Sequence, residues 1–136
     1  MSNLGYAPKN LLFDEEGREK LYKGIAKISS AVKSTLGPEG QTVLIESNEH
    51  TRGMTVTKDG VTVAKAVSLL DPTENLAVNI MKEAADKTAT QAGDGTTTAI
   101  VLTEALVNAG KDIDQNKTQI LRELKEESNK IVESLK

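Results

Sequence analysis

Between residues 14 and 36 the apolar positions Leu21, Ile25, Ile28, Val32 and Leu36 recur at three- and four-residue steps, the spacing of one helical face. The pattern predicts a helix over this stretch, with Asp14 as N-cap, Glu15 and Glu16 in the first turn, and Gly37-Pro38 as the stop. The period then changes. QTVLIE (41–46) and GMTVT (53–57) read as two short strands, joined into a hairpin by the polar run 47–52. Lys58-Asp59-Gly60 predicts a second turn, followed by a short helix through Val67. Asp71-Pro72-Thr73 opens a longer helix carrying Leu76, Ile80, Ala84 and Ala85 up to a turn at Gly93. Another helix is expected from Thr96 to Asn108, closed by Gly110. A last one begins near Lys117, with Leu121, Leu124, Ile131 and Leu135 on one side, and its pattern is still running where the sequence stops. The expectation is a mainly α fold with one small β-hairpin and no internal repeat.

Composition narrows what such a fold does. The chain has 136 residues, enough for one domain with a sizeable core. Its aromatic residues are Tyr6, Phe13 and Tyr22, so the core must be built of Leu, Ile, Val and Ala. With a net charge of −3 and no aromatic platforms for base stacking, nucleic-acid binding of the aromatic-plus-basic kind is not expected. The absence of cysteine excludes disulfides, thiolate chemistry and zinc–cysteine sites. The single histidine, His50, lies in the polar run SNEHTRG and reads as a solvated loop residue. No apolar run approaches the roughly 20 residues that span a bilayer. The first residues lack a basic-then-apolar leader, so the expectation is a cytoplasmic protein with no membrane partner.

The candidate chemistry lies in residues 91–102, QAGDGTTTAIVL. A Gly-Asp-Gly turn runs into three threonines and then directly into an apolar helix pattern. Gly93 and Gly95 let a ligand approach the main chain closely. The start of the next helix offers unpaired N–H groups and the positive end of the helix dipole. Thr96, Thr97 and Thr98 add hydroxyl donors, and Asp94 supplies a hard oxygen of the kind Mg²⁺ accepts. A glycine turn with a threonine cap accounts for one threonine and one glycine. It leaves the full run unexplained, because β-branched residues crowd a helix start without helping it form. A nucleotide site explains more of the stretch. It is not a P-loop, since the chain has no G-x-x-x-x-G-K-[ST] run.

Three segments, AVKSTLGPEG (31–40), TVTKDGVTVAK (55–65) and AGDGTTTAIVL (92–102), in that order and spacing, resemble the group I chaperonins, the GroEL family. KNLLFDEEGREKLYKGI near the start is similar to that family's opening segment, and the likeness extends over essentially the whole chain. Glu39, where the family usually has a basic residue, and a longer hairpin turn suggest a divergent, phage-type member. The resemblance implies an ATP-driven double-ring folding machine. Residues 1–136 would form the first segment of its equatorial, ATP-binding and ring-forming domain, with the intermediate and apical domains absent from this sequence.

The resemblance also implies residue roles. Thr35, Leu36, Gly37 and Pro38 form one wall of the nucleotide pocket, and Lys58 is a nucleotide contact. Asp59 is the catalytic carboxylate that helps position the attacking water or a nearby ion. Asp94 is the Mg²⁺ ligand, while Gly95, Thr96, Thr97 and Thr98 hold the β- and γ-phosphates. ATP and Mg²⁺ are the implied cofactors, with K⁺ a further candidate. The implied partners are identical ring subunits, unfolded polypeptides and a co-chaperonin, the last two bound through domains outside this sequence. In the family the hairpin over 41–57 pairs with the neighbouring subunit; from pattern alone, a hairpin lying on its own domain fits equally well. Two other functional classes stay open: a truncated chaperonin-like module that modulates full-length rings without catalysis, and a small stand-alone nucleotide-binding protein.

Overall fold

The computed structural model describes residues 11–46, 53–113 and 116–136. The expected hairpin turn over 47–52, with His50, lies outside them. The elements are α1 (Asp14–Lys33), β1 (Val43–Glu46), β2 (Met54–Thr57), α2 (Gly60–Ala66), α3 (Pro72–Ala92), α4 (Thr96–Gly110) and α5 (Lys117–Ser134). This is the expected mainly α architecture with one antiparallel hairpin. The chain divides into a unit over Met1–Glu104 and a second over Ala105–Lys136.

In the first unit, Ile28 and Val32 of α1, Ala64 of α2, Val78, Met81 and Ala85 of α3, and Ile100 of α4 form one buried cluster. Ile25, Val67 and Leu69 pack against its margin. The α1–α3 crossing is tight at one point. A β-carbon at Gly24 would overlap the Glu74 carbonyl oxygen and stand 3.0 Å from the Ala77 methyl, so only glycine lets the two backbones come this close. Ion pairs lace the same crossing. Lys20 meets Asp71 at 3.0 Å, and Lys27 meets Glu74 one to two turns further along both helices.

Helix ends follow local chemistry, with two departures from expectation. Asp71 caps α3 by accepting from the N–H groups of Thr73 and Glu74 at 2.8 and 3.1 Å, with Pro72 at the first helical position. Asp14, in contrast, does not cap α1. It stands inside the first turn at φ 55°, Phe13 occupies the cap position, and no side chain caps that end. At its other end α1 stops at Lys33, three residues before Leu36. There the Ser34 and Thr35 hydroxyls donate to the carbonyls of Ala31 and Val32, both at 2.7 Å, and the Leu36 N–H turns back to Lys33 at 3.1 Å. These three-residue bonds tighten the chain out of the α-helix before glycine is reached.

The buried face of α3 also differs. Ala77, Val78, Met81 and Ala85 face the core, whereas Leu76 and Ile80 are 54% and 58% exposed and Ala84 is exposed too. Of the expected row, only Ala85 turns inward. The small side chains of Ala77 and Ala85 suit a helix drawn close to α1, and the bulkier Leu76–Ile80 row is left on the other side.

In the hairpin Val43 pairs with Thr57, Leu44 with Val56, Ile45 with Thr55 and Glu46 with Met54. Val43 and Ile45 are half-buried, while Leu44, Val56 and Met54 stand exposed. Within the second unit, Asn116 caps α5 by accepting from the Thr118 N–H at 3.1 Å. Leu106, Val107, Ile113, Ile120, Leu121 and Leu124 line an apolar groove there. No residue of α5 is buried, and Leu121, Ile131 and Leu135 of the expected packing row are largely open. No helix among the described residues is long and apolar enough to cross a membrane.

The Gly24 contact yields a direct test. Gly24→Ala is expected to destabilise the protein by about 1–3 kcal/mol, the usual range for overpacking, despite alanine's better helix propensity. Urea denaturation of both proteins measures it; an unchanged midpoint would mean the crossing is looser than described.

Candidate functional site

Three helix ends meet in the first unit. The α1 terminus brings the turn Ser34–Thr35–Leu36, α2 begins at Gly60, and α4 begins at Thr96. A β-carbon at Gly60 would overlap the Thr97 hydroxyl and stand 3.2 Å from the Thr35 hydroxyl. Thr35, Gly60 and Thr97 therefore share one point, although 25 and 37 residues separate them along the chain. The loop that follows Thr35 is closed by its own backbone: Gln41 N–H donates to Ser34 at 2.7 Å, and Gly40 N–H to Gly37 at 3.0 Å. Leu36, Gly37 and Pro38 are exposed on this loop.

The Gly-Asp-Gly turn has the geometry its sequence predicts. Gly93 ends α3 at φ 75°, and Gly95 precedes α4 at φ 85°, both in the left-handed region that favours glycine. Between them Asp94 is exposed, and one of its oxygens accepts from the Gly95 N–H at 2.6 Å. The first intrahelical bond of α4 runs from Ala99 N–H to the Gly95 carbonyl at 2.8 Å. The N–H groups of Thr96, Thr97 and Thr98 thus precede the helical ladder, at the positive end of the dipole. Helix geometry divides the three side chains. Thr96 is only 3% exposed, Thr97 is half-buried against Gly60, and Thr98 is exposed.

Asp59 caps α2. Its carboxylate accepts from the N–H groups of Val61 at 3.2 Å and Thr62 at 3.0 Å, and from the Thr62 hydroxyl at 2.6 Å. The Thr62 hydroxyl is the main reason that the Asp59 pKa lies below the ordinary carboxylate value, with the two backbone donors and Lys65 acting in the same direction against partial desolvation. A carboxylate offers about four lone-pair sites, so these three donors leave room for one more. Lys58, beside it, is exposed and has no ion-pair partner among the described residues. The far end of α2 is held as well: the Lys82 ammonium donates to the Lys65 carbonyl at 2.8 Å, and Lys65 pairs with Asp86 at 3.2 Å.

The structure thus unites Thr35 and Thr97 through Gly60, and sets Lys58 and Asp59 at the start of the same short helix. Sequence reasoning missed Gly60 as the meeting point and Thr62 as the partner of Asp59. The second had a signal, since a hydroxyl three residues after a capping carboxylate faces back to it. The first had none, because its partners are distant in sequence.

Among the described residues no cluster of three or more Asp, Glu, His or Cys side chains forms a metal cage. Asp94 fits the other way of holding Mg²⁺, one exposed carboxylate completed by phosphate oxygens and water.

The fold, helical with one antiparallel hairpin, matches that of a chaperonin equatorial domain. The chain belongs to the TCP-1/cpn60 chaperonin family, whose profile matches residues 28–136. It is similar to the chaperonin gp146 of bacteriophage EL (Pseudomonas aeruginosa), crystallised in the presence of ATP-BeFx in two crystal forms. Against one form the identity is 35% and the TM-score 0.72, covering 82% of this chain and 20% of gp146. Against the other the identity is 36% and the TM-score 0.68, covering 75% and 18%. The chain therefore spans about a fifth of the length of the phage chaperonin it matches.

Capping by Asp59 has a pH signature. Its folded pKa is lowered, so its contribution is complete above the unfolded value of 3.8 and fades as pH falls through the lower folded value. Asp59→Ala is expected to lower the melting temperature at neutral pH, with the gap from wild type closing below pH 3.8. A gap that is constant across that window, followed by circular dichroism, would refute the cap's ionic character.

Proposed function

We propose that this chain is the first segment of the ATP-binding, ring-forming domain of a chaperonin subunit, and that it carries the Mg-ATP phosphate site and part of the subunit interface. The observation that supports this most is the convergence of Thr35, Gly60 and Thr97 beside a turn with two left-handed glycines. Helix N-termini and close-approach backbone are what a polyphosphate needs, and the similar phage chaperonin was crystallised with ATP-BeFx.

In this reading the N–H groups of Thr96, Thr97 and Thr98 and the exposed Thr98 hydroxyl hold the β- and γ-phosphates. Gly95 allows their approach. Thr96, being buried, contributes its backbone rather than its hydroxyl. Leu36, Gly37 and Pro38 form the opposite wall, and Lys58 contributes positive charge. Asp94 would ligate Mg²⁺, which when bound neutralises charge on the transferring phosphoryl group. Asp59, kept ionised by Thr62, uses its remaining lone pair to orient the attacking water. Identical subunits would be partners through the hairpin; unfolded polypeptides and a co-chaperonin would be partners of the whole protein.

Asp94→Ala should leave the fold intact, because Asp94 is exposed and, among the described residues, its side chain bonds to the adjacent Gly95 N–H alone. In the whole protein we expect Mg²⁺-dependent phosphate release to fall roughly 10²–10³-fold, the range for loss of a charge-stabilising group. Wild-type release from a folded variant would remove Asp94 from the metal site.

The exposed Leu44–Val56 pair is the feature of the hairpin that suits an interface. Val56→Pro removes a backbone donor from β2 and should shift the protein from rings toward smaller species while helix content is kept. Light scattering reads the outcome, and undiminished rings would place the interface elsewhere.

A further inference from the structure

One face of α4 carries three contacts at helical spacing. Thr97 lies against Gly60, Ile100 is buried in the core cluster, and Glu104 pairs with Lys33, the last residue of α1. Residues 97, 100 and 104 fall on one side of a helix, with Thr97 and Glu104 about 10 Å apart at 1.5 Å per residue. The Glu104 side chain is 12% exposed. Its Oε2 is buried and has no aligned hydrogen-bond donor among the described residues, so the Lys33 charge is what balances it. Removing Lys33 would leave this buried oxygen without its counter-charge. Ile100 holds this face of α4 against the core, which prevents gross rotation but leaves small adjustments of the helix open. The charge pair two turns from Thr97 restricts those small adjustments, because its attraction weakens as the two groups part.

We propose that Glu104, through Lys33, is a positioning residue that fixes the rotation and axial setting of α4. It thereby aims the N–H groups of Thr96, Thr97 and Thr98 at the bound phosphates. Lys33 sits one residue before the Ser34–Thr35 turn, so the same ion pair ties the two walls of the pocket, the α1 terminus and the α4 N-terminus, to a single spacing. The effect on ligand binding rests on the nucleotide reading above; the effect on α4 itself does not.

The test uses the whole protein with Glu104→Gln, Lys33→Met, the charge-conserving Lys33→Arg, and the reciprocal exchange of Lys33→Glu with Glu104→Lys. Hydrogen exchange of peptides spanning 94–102 is measured without ligand, and ADP binding in the presence of Mg²⁺ is measured by calorimetry. Each neutralising variant should speed exchange in 94–102 while leaving 72–92 protected, and should weaken Mg-ADP binding about ten-fold, a size typical of coupling between sites. Lys33→Arg should keep both properties, and the exchanged pair should recover them to within about three-fold. Unchanged exchange in the neutralising variants overturns the proposal, as does loss of protection throughout the chain that Lys33→Arg also shows. If the exchange pattern is as expected but the wild-type protein does not bind Mg-ADP, the nucleotide reading falls and the positioning role stands.

Discussion

The distance between α1 and α3 is the constraint from which the rest of the first unit follows. It is set at Gly24, where a hydrogen in place of a side chain brings the α1 backbone against the Glu74 carbonyl. At that spacing Ile28 and Val32 reach Val78, Met81 and Ala85, and one contiguous cluster forms from aliphatic side chains without an aromatic among them. The cluster leaves room on its edge for the short helix α2, which contributes Ala64, and for Ile100 of α4. Aliphatic cores of this kind rely on close backbone approach, because no large ring is present to fill a wider gap.

The candidate site is a by-product of the same packing. α2 has only seven residues and little helical stability of its own, so its position depends on its ends. Asp59 holds the first end by three hydrogen bonds, and Lys82 holds the last through the Lys65 carbonyl. Burial lowers the Lys82 pKa, as expected for an ammonium that gives up water to cap a helix. With both ends fixed, Gly60 stays against Thr97, and the turns after α1 and before α4 are brought to the same place.

How much of this could be read in advance depended on whether the signal was local. Asp71-Pro72 and Gly93 bounded α3 correctly, because capping and left-handed glycine chemistry act within a few residues. Which side of α3 faces inward was not readable. Leu76 and Ile80 are more apolar than Ala77, and only the closeness of α1 decides in favour of the smaller residues. The end of α1 was placed too late because the Ser34 and Thr35 hydroxyls compete for carbonyls before Gly37 is reached. At the site, the Gly-Asp-Gly turn and the threonine run announced the left-handed glycines and the helix start at Thr96. Gly60 and the Lys33–Glu104 pair had no such signal, since each depends on a partner in another element.

The threonine run illustrates what a repeated letter means once a helix winds through it. Successive residues advance by about 100° around the axis, so three identical side chains point in three directions. Thr96 enters the interior, Thr97 packs against a neighbouring helix, and Thr98 meets solvent. The three positions therefore have separate physical surroundings. Thr96 must fit the interior, Thr97 must fit against the bare backbone of Gly60, and Thr98 has no packing to satisfy. A substitution at one position removes contacts that neither neighbour can supply, so the repeated letter carries no physical redundancy.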